Sequence, residues 1–213
     1  MKPIDEVLAD LGHRRGATPG SVVPITTYVD PAPEPPPLYA DWAQCDTLGI
    51  PPLFRKAEWE DFTPADLAGG EMPLVTSNKR SLLIVGKNGC GKSHLAAAIA
   101  RMWRARWVSA AQFVVECRST FGRSGGDSEL AVIERYSDVG CLALDDLTGV
   151  GRTEYAAASL LALLDKRIGW QRPTVITTYQ GPSDVIKLDP SIASRVAGFE
   201  KIILVGGDRR GNP

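Results

Sequence analysis

The run Gly86-Lys87-Asn88-Gly89-Cys90-Gly91-Lys92-Ser93 constrains this chain more than any other feature. It fits G-x-x-x-x-G-K-[ST] without a mismatch and directly follows the apolar run Leu82-Leu83-Ile84-Val85. Behind it, Leu95, Ile99, Met102 and Trp103 recur at helical spacing and predict a helix over residues 93–106. A strand, a glycine-rich turn and a helix in that order form a phosphate cradle. The glycines let the backbone close around anionic oxygens with its amides pointing inward. The helix N-terminus adds partial positive charge at the same point. Gly86, Lys87, Asn88, Gly89, Cys90, Gly91, Lys92, Ser93 and His94 are therefore the candidate nucleotide-binding positions. Lys92 is suited to the β- and γ-phosphates of ATP, and the Ser93 hydroxyl to Mg2+.

Such a motif needs a parallel sheet, and the rest of the chain supplies one. Short apolar runs at 81–85, 106–108, 141–144, 174–177 and 201–205 read as five buried strands. Helical spacing at 93–106, 110–120 and 154–167 separates them. This alternation predicts an α/β fold, a five-stranded parallel sheet with helices on both faces. The third run ends in Asp145-Asp146. Ligands of open α/β sheets bind outside the carboxyl ends of the strands. Asp145 is thus a candidate magnesium ligand and Asp146 a candidate for polarising the attacking water, or else the pair caps the next helix.

Composition narrows the rest. The formal net charge of −1 gives no general basic field, so any nucleic-acid contact must be a local patch. Four widely spaced cysteines without a C-x-x-C pair argue against zinc and disulfides and for a reducing, cytoplasmic setting. No run is long and apolar enough to cross a bilayer, and the acidic first ten residues do not read as a signal peptide. Ile4, Val7, Leu8 and Leu11 form one apolar face of a short helix over residues 1–16, docked on its own domain or on a partner. Seven of the 16 prolines fall in residues 19–37, which predicts a stiff linker over 17–40 before a domain at 41–213.

From Ile50 to Arg210 the sequence resembles the AAA+ helicase-loader family, of DnaC/DnaI type, and the related IstB-type transposition ATPases. The resemblance rests on Ile50-Pro51-Pro52-Leu53-Phe54-Arg55, Glu58-Trp59-Glu60-Asp61-Phe62, the phosphate loop with His94 behind it, and Leu144-Asp145-Asp146-Leu147. It continues through Arg172-Pro173-Thr174-Val175-Ile176-Thr177-Thr178, Ser194-Arg195-Val196 and Gly206-Gly207-Asp208-Arg209-Arg210. It implies a P-loop NTPase core of AAA+ type that hydrolyses Mg-ATP. Arg195 becomes an arginine finger offered to the nucleotide of a second copy, in a homo-oligomer built through the nucleotide interface. Thr177 or Thr178 stands at the first sensor, with Thr178 the residue chosen, although Tyr179 replaces the asparagine many relatives carry. The chain ends soon after Gly206, so no C-terminal helical lid is expected, and Arg209 or Arg210 replaces its sensor arginine.

The same resemblance implies a replicative helicase, or a transposase, as partner, with single-stranded DNA as the further ligand. Arg118, Phe121 and Arg123 are the candidate DNA contacts, Phe121 stacking on a base or else packing in the core. A nucleotide kinase is the remoter reading, and it leaves Asp145-Asp146 and Ser194-Arg195 without a task.

Overall fold

The computed structural model describes residues 38–71, 75, 80–122, 127–151, 153–179 and 189–209. The chain divides into two units at Pro36–Pro37, and all described residues belong to the second. The expected helix over 1–16, residues 17–37 of the expected linker, Arg123 and Arg210 lie outside the described residues.

A helix α1 (Trp42–Leu48), capped by Asp41, leads into three short 3-10 turns. The alternating core follows: β1 (Leu82–Gly86), α2 (Lys92–Trp103), β2 (Arg106–Ser109), α3 (Ala110–Arg118), α4 (Glu129–Ser137), β3 (Leu142–Asp145), α5 (Glu154–Gly169), β4 (Thr174–Tyr179), α6 (Pro190–Val196) and β5 (Glu200–Leu204). All strand pairs are parallel, in the order β2-β3-β4-β1-β5. Helix α4 is an element that the apolar runs above leave unassigned. Its signal is nonetheless local: Ser128 accepts from Ala131 N–H as N-cap, and Val132, Ile133 and Tyr136 form one buried face.

Alternation along each strand divides the core into two layers. Leu82, Ile84, Trp107, Ala143, Val175 and Ile202 pack on one side against α2. Leu83, Val85, Val108, Leu142, Leu144 and Ile176 pack on the other against α3 to α6. Among the described residues the first layer has one crossover helix, and residues 40–67 complete it with Ala40, Cys45, Ile50, Ala57, Phe62 and Leu67. This covering explains why Leu95 to Arg101 of α2 are buried on every side, and why that stretch is rich in alanine. Buried Arg101 ties the cover down, donating to Ala40 O at 3.3 Å and to Ala57 O at 2.5 Å.

Topology now sets the site. Because β4 lies between β1 and β3, the ends of these three strands emerge side by side. Gly86 is level with Tyr179, and Leu144 with Ile176. The phosphate loop, the Asp145-Asp146 pair and the end of β4 therefore share one edge of the sheet.

Candidate functional site

The phosphate loop has the backbone its glycines permit. Gly89 and Gly91 have φ of +81° and +98°, a region that penalises any side chain. Space is equally restrictive. A Cβ on Gly86 would meet Cys90 Sγ at 2.6 Å, and one on Gly89 would meet the Asp208 carboxylate at 2.2 Å. A Cβ on Gly91 would come within 3.2 Å of the Phe62 ring. Cys90 itself is buried, so it contributes backbone rather than a side chain to the loop.

Lys92 Nζ donates to the Lys87 carbonyl at 2.8 Å and stands 5.9 Å from the centre of the Tyr179 ring. Ser93 and Asp145 are neighbours across the strand ends, the serine hydroxyl bonding the carboxylate. Burial pushes the Asp145 carboxyl above the usual range, opposed by the hydroxyls of Thr177 and Ser93. A desolvated carboxylate beside the Ser93 hydroxyl is an all-oxygen donor pair, which fits a hard divalent cation such as Mg2+.

Of the two candidate threonines, Thr177 reaches the site. Its hydroxyl donates to Asp145 Oδ1 at 2.7 Å and accepts from Asp146 N–H at 2.7 Å. Thr178 is a correction to the expected binding set. It follows Thr177 by one residue, so its side chain leaves the opposite face of β4, where it is fully buried. Tyr179 ends the strand, its N–H held by Thr148 Oγ1 at 3.1 Å.

The paired acids differ. Asp146 has a left-handed backbone (φ 53°), and its Oδ1 accepts from Gly149 N–H at 3.1 Å, closing the turn Leu147–Gly149. Asp146 thus caps this 3-10 turn, whereas the helix that follows, α5, is capped by Thr153.

Two segments remote in sequence close over the loop. Asp61 Oδ2 lies 2.6 Å from His94 Nε2, and the rings of Phe54 and Phe62 lie 6.4 and 5.9 Å from the imidazole. Arg209 N–H donates to Gly89 O at 2.9 Å, and its guanidinium lies over the Phe62 ring at 4.5 Å and pairs with Asp66. Asp66 is held below the usual carboxylate range by the Thr63 N–H and by Arg209. These contacts bound a cleft of about 350 Å³ lined by Leu53, Phe54, Lys92, Ser93, His94 and Arg209. Both segments stand out in the sequence as motifs, but no local signal relates Asp61 to His94 or Phe62 to Arg209, so their meeting at the phosphate loop is not legible there.

Arg195 lies elsewhere. It borders a second cleft, of about 640 Å³, with Ser81, Pro173 and Glu200 at the starting ends of β1, β4 and β5. It therefore stands at the edge of the sheet opposite its own phosphate loop. Phe121 is 57% exposed and packs edge-on against Tyr155 at 5.3 Å, with Arg118 5.7 Å from the same ring. It is neither a core residue nor free of neighbours. Burial pushes the thiols of Cys117 and Cys141 up to about 11 and about 12, so neither is a ready nucleophile. Among the described residues no His, Cys, Asp and Glu cluster forms a metal site of its own. None of the described helices is long and apolar enough to cross a membrane.

Strand order, phosphate loop and acidic strand end together define an α/β P-loop fold of AAA+ type. No protein-family model matches the chain. Among curated proteins, it is similar to the replicative helicase loader DnaC of Escherichia coli K12, with 26% identity over 155 residues. That match takes in 66% of this chain and 62% of the loader, so it spans under two thirds of the relative's length. Among solved structures, a DnaI structure superposes with a TM-score of 0.55 at 17% identity, over 73% of this chain and 94% of that one. The replication initiator DnaA, bound to AMPPCP and single-stranded DNA, superposes with a TM-score of 0.58 at 16% identity, over 72% and 51%. The resemblance to helicase loaders carried by the motifs is thus met again in sequence similarity over 155 residues and in fold.

Proposed function

We propose that this protein is a cytoplasmic ATPase that binds and hydrolyses Mg-ATP and uses it to load or remodel a replicative DNA helicase on single-stranded DNA. The observation that carries the reading is the meeting of Lys92, Ser93 and Asp145 at one sheet edge, in a chain similar to DnaC. A phosphate loop alone serves kinases and binding modules as well. The buried acid held by Thr177 is what a hydrolytic site adds.

The loop amides and Lys92 hold the β- and γ-phosphates, Lys92 exchanging the Lys87 carbonyl for phosphate oxygen. Ser93 and Asp145 would hold Mg2+, which neutralises phosphate charge when bound. Asp146 polarises the attacking water with the oxygen that does not cap Gly149. Leu53 and Phe54 offer an apolar wall for the base, and Arg209 a cation on the same side. Arg195, remote from its own loop, serves the phosphates of a second copy. Arg118 and Phe121, with Tyr155 beneath them, form the local DNA patch that a net charge of −1 requires.

The test is phosphate release from Mg-ATP by the full chain over a range of protein concentrations, with and without single-stranded DNA and the helicase. Turnover per subunit should rise with concentration, increase with both partners, and fall about 10³-fold in Arg195→Ala. Transfer of phosphate to a nucleotide or nucleoside would overturn the reading, as would an absence of hydrolysis under every condition. Stimulation by a transposase instead of a helicase would reassign the partner.

A further inference from the structure

Arg195 does not hang free at its end of the sheet. Its Nε donates to Asp165 Oδ1 at 2.8 Å and its Nη2 to Asp165 Oδ2 at 3.2 Å, a two-point grip from α5 onto α6. Among the described residues, Nη1 has only a long contact, 3.4 Å, to the Ser191 carbonyl one turn back on α6. A guanidinium has five N–H donors in a rigid fork. Asp165 occupies its side edge, which leaves the Nη1–Nη2 edge for a second anion.

Holding the fold together does not account for this pair. Helices α5 and α6 already meet through a buried seam of Leu160, Leu163, Leu164, Ile192 and Val196. Both partners are substantially exposed, and such ion pairs contribute little to stability. What the grip does is select one orientation from the many rotamers of a long side chain. In that orientation Arg195 lines the 640 Å³ cleft, together with Arg80, which pairs with Glu200, and Arg172, which pairs with Asp138.

We infer that Asp165 is the positioning residue of Arg195: it presets the guanidinium so that its open edge meets the nucleotide phosphates of a second copy. The inference rests on the trans role of Arg195 proposed above. It assigns to Asp165 no contact with nucleotide and no proton transfer. Its effect is to remove the rotamer search that an unheld arginine would face at each encounter.

The experiment compares full-length wild type with Asp165→Ala, Asp165→Asn, Arg195→Ala and the double variant Asp165→Ala/Arg195→Ala. Turnover is read at saturating Mg-ATP and saturating protein, alongside nucleotide affinity and melting temperature. Asp165→Ala should lose about tenfold in turnover with affinity and melting temperature unchanged. Asp165→Asn, which keeps one acceptor, should lie between it and wild type. The double variant should be no slower than Arg195→Ala, since a positioning residue has nothing left to position. Full or raised turnover in Asp165→Ala beside a slow Arg195→Ala would overturn this inference alone. A further loss in the double variant, or a loss matched by a fall in melting temperature, would also overturn it. Wild-type turnover in Arg195→Ala would instead remove the trans reading beneath it.

Discussion

The Thr177 hydroxyl donates to Asp145 Oδ1 at 2.7 Å, across the gap between neighbouring strands β4 and β3. Its proton has one place to go, because the same oxygen already accepts from the Asp146 N–H. Thr177 thereby fixes both the carboxylate oxygen and the backbone of the turn that follows. Thr177→Val should leave the Asp146 N–H and Asp145 without this partner, and cost about 1–3 kcal/mol of stability. Turnover should fall with it, while Thr177→Ser retains both. Urea titration with phosphate release, measured on the same samples, checks the two effects.

Asp145 is a buried acid whose charge is penalised. In the folded state its pKa lies above the ordinary 3.8, chiefly through burial, so the folded protein binds that proton more tightly than the unfolded chain does. The ionised group therefore destabilises the ligand-free fold at neutral pH, and this penalty fades as pH falls through the raised value towards 3.8. Asp145→Asn should melt higher than wild type at pH 7, by on the order of 1 kcal/mol, and be inactive. The advantage should shrink on acidification. Thermal melts of both proteins between pH 7 and pH 4 check this, and an advantage that grows on acidification would contradict it.

Gly89 faces two separate obstacles to substitution. Its φ of +81° disfavours a side chain, and a Cβ would strike the Asp208 carboxylate at 2.2 Å. Gly89→Ala should lose nucleotide affinity by at least tenfold. Adding Asp208→Ala removes the clash but not the backbone strain, so it should recover only part of the loss. Titration calorimetry with a non-hydrolysable ATP analogue distinguishes partial from full recovery, and full recovery would mean that strain plays no role.

Asp146 has a cap to keep and a proposed water to polarise, and one substitution separates them. Asp146→Asn retains an oxygen for the Gly149 N–H but loses the charge. Stability should hold, and hydrolysis should fall about 10²-fold with nucleotide affinity intact. Unchanged hydrolysis in single-turnover measurements would leave Asp146 a cap alone.

Phe121 and Arg118 share Tyr155 as a base. Phe121→Ala should weaken single-stranded DNA binding by about 1–3 kcal/mol per stacked base and leave ATP affinity unchanged. Arg118→Ala should lower the salt dependence as well. Fluorescence anisotropy at two salt concentrations reads both, and equal affinity across all three proteins would exclude this patch.

Much of the architecture is legible in one dimension. Gly86 to Ser93 prescribes its own backbone, because glycine adopts the positive φ at Gly89 and Gly91 without the strain a side chain would bring. The apolar strands announce a sheet buried on both faces, and Asp145 follows such a strand directly. These are signals within ten residues of one another, where periodicity and side-chain type are enough. Helix α4 carries the same kind of signal in Ser128 and its apolar face, although the strand pattern overshadows it.

What tertiary structure alone decided is which of several eligible residues meet. Strand order inserted β4 between β1 and β3, and the register of β4 on β3 brought Thr177 rather than Thr178 to Asp145. Packing of the 40–67 segment over α2 carried Asp61 to His94, and the turn after β5 carried Arg209 to Gly89 and Phe62. The same folding sent Arg195 to the far edge and into the grip of Asp165. The physical reason is common to all of them. A motif encodes the local backbone its residues favour, whereas contacts between distant segments depend on how whole layers bury their apolar faces, and that is settled only when the sheet is assembled.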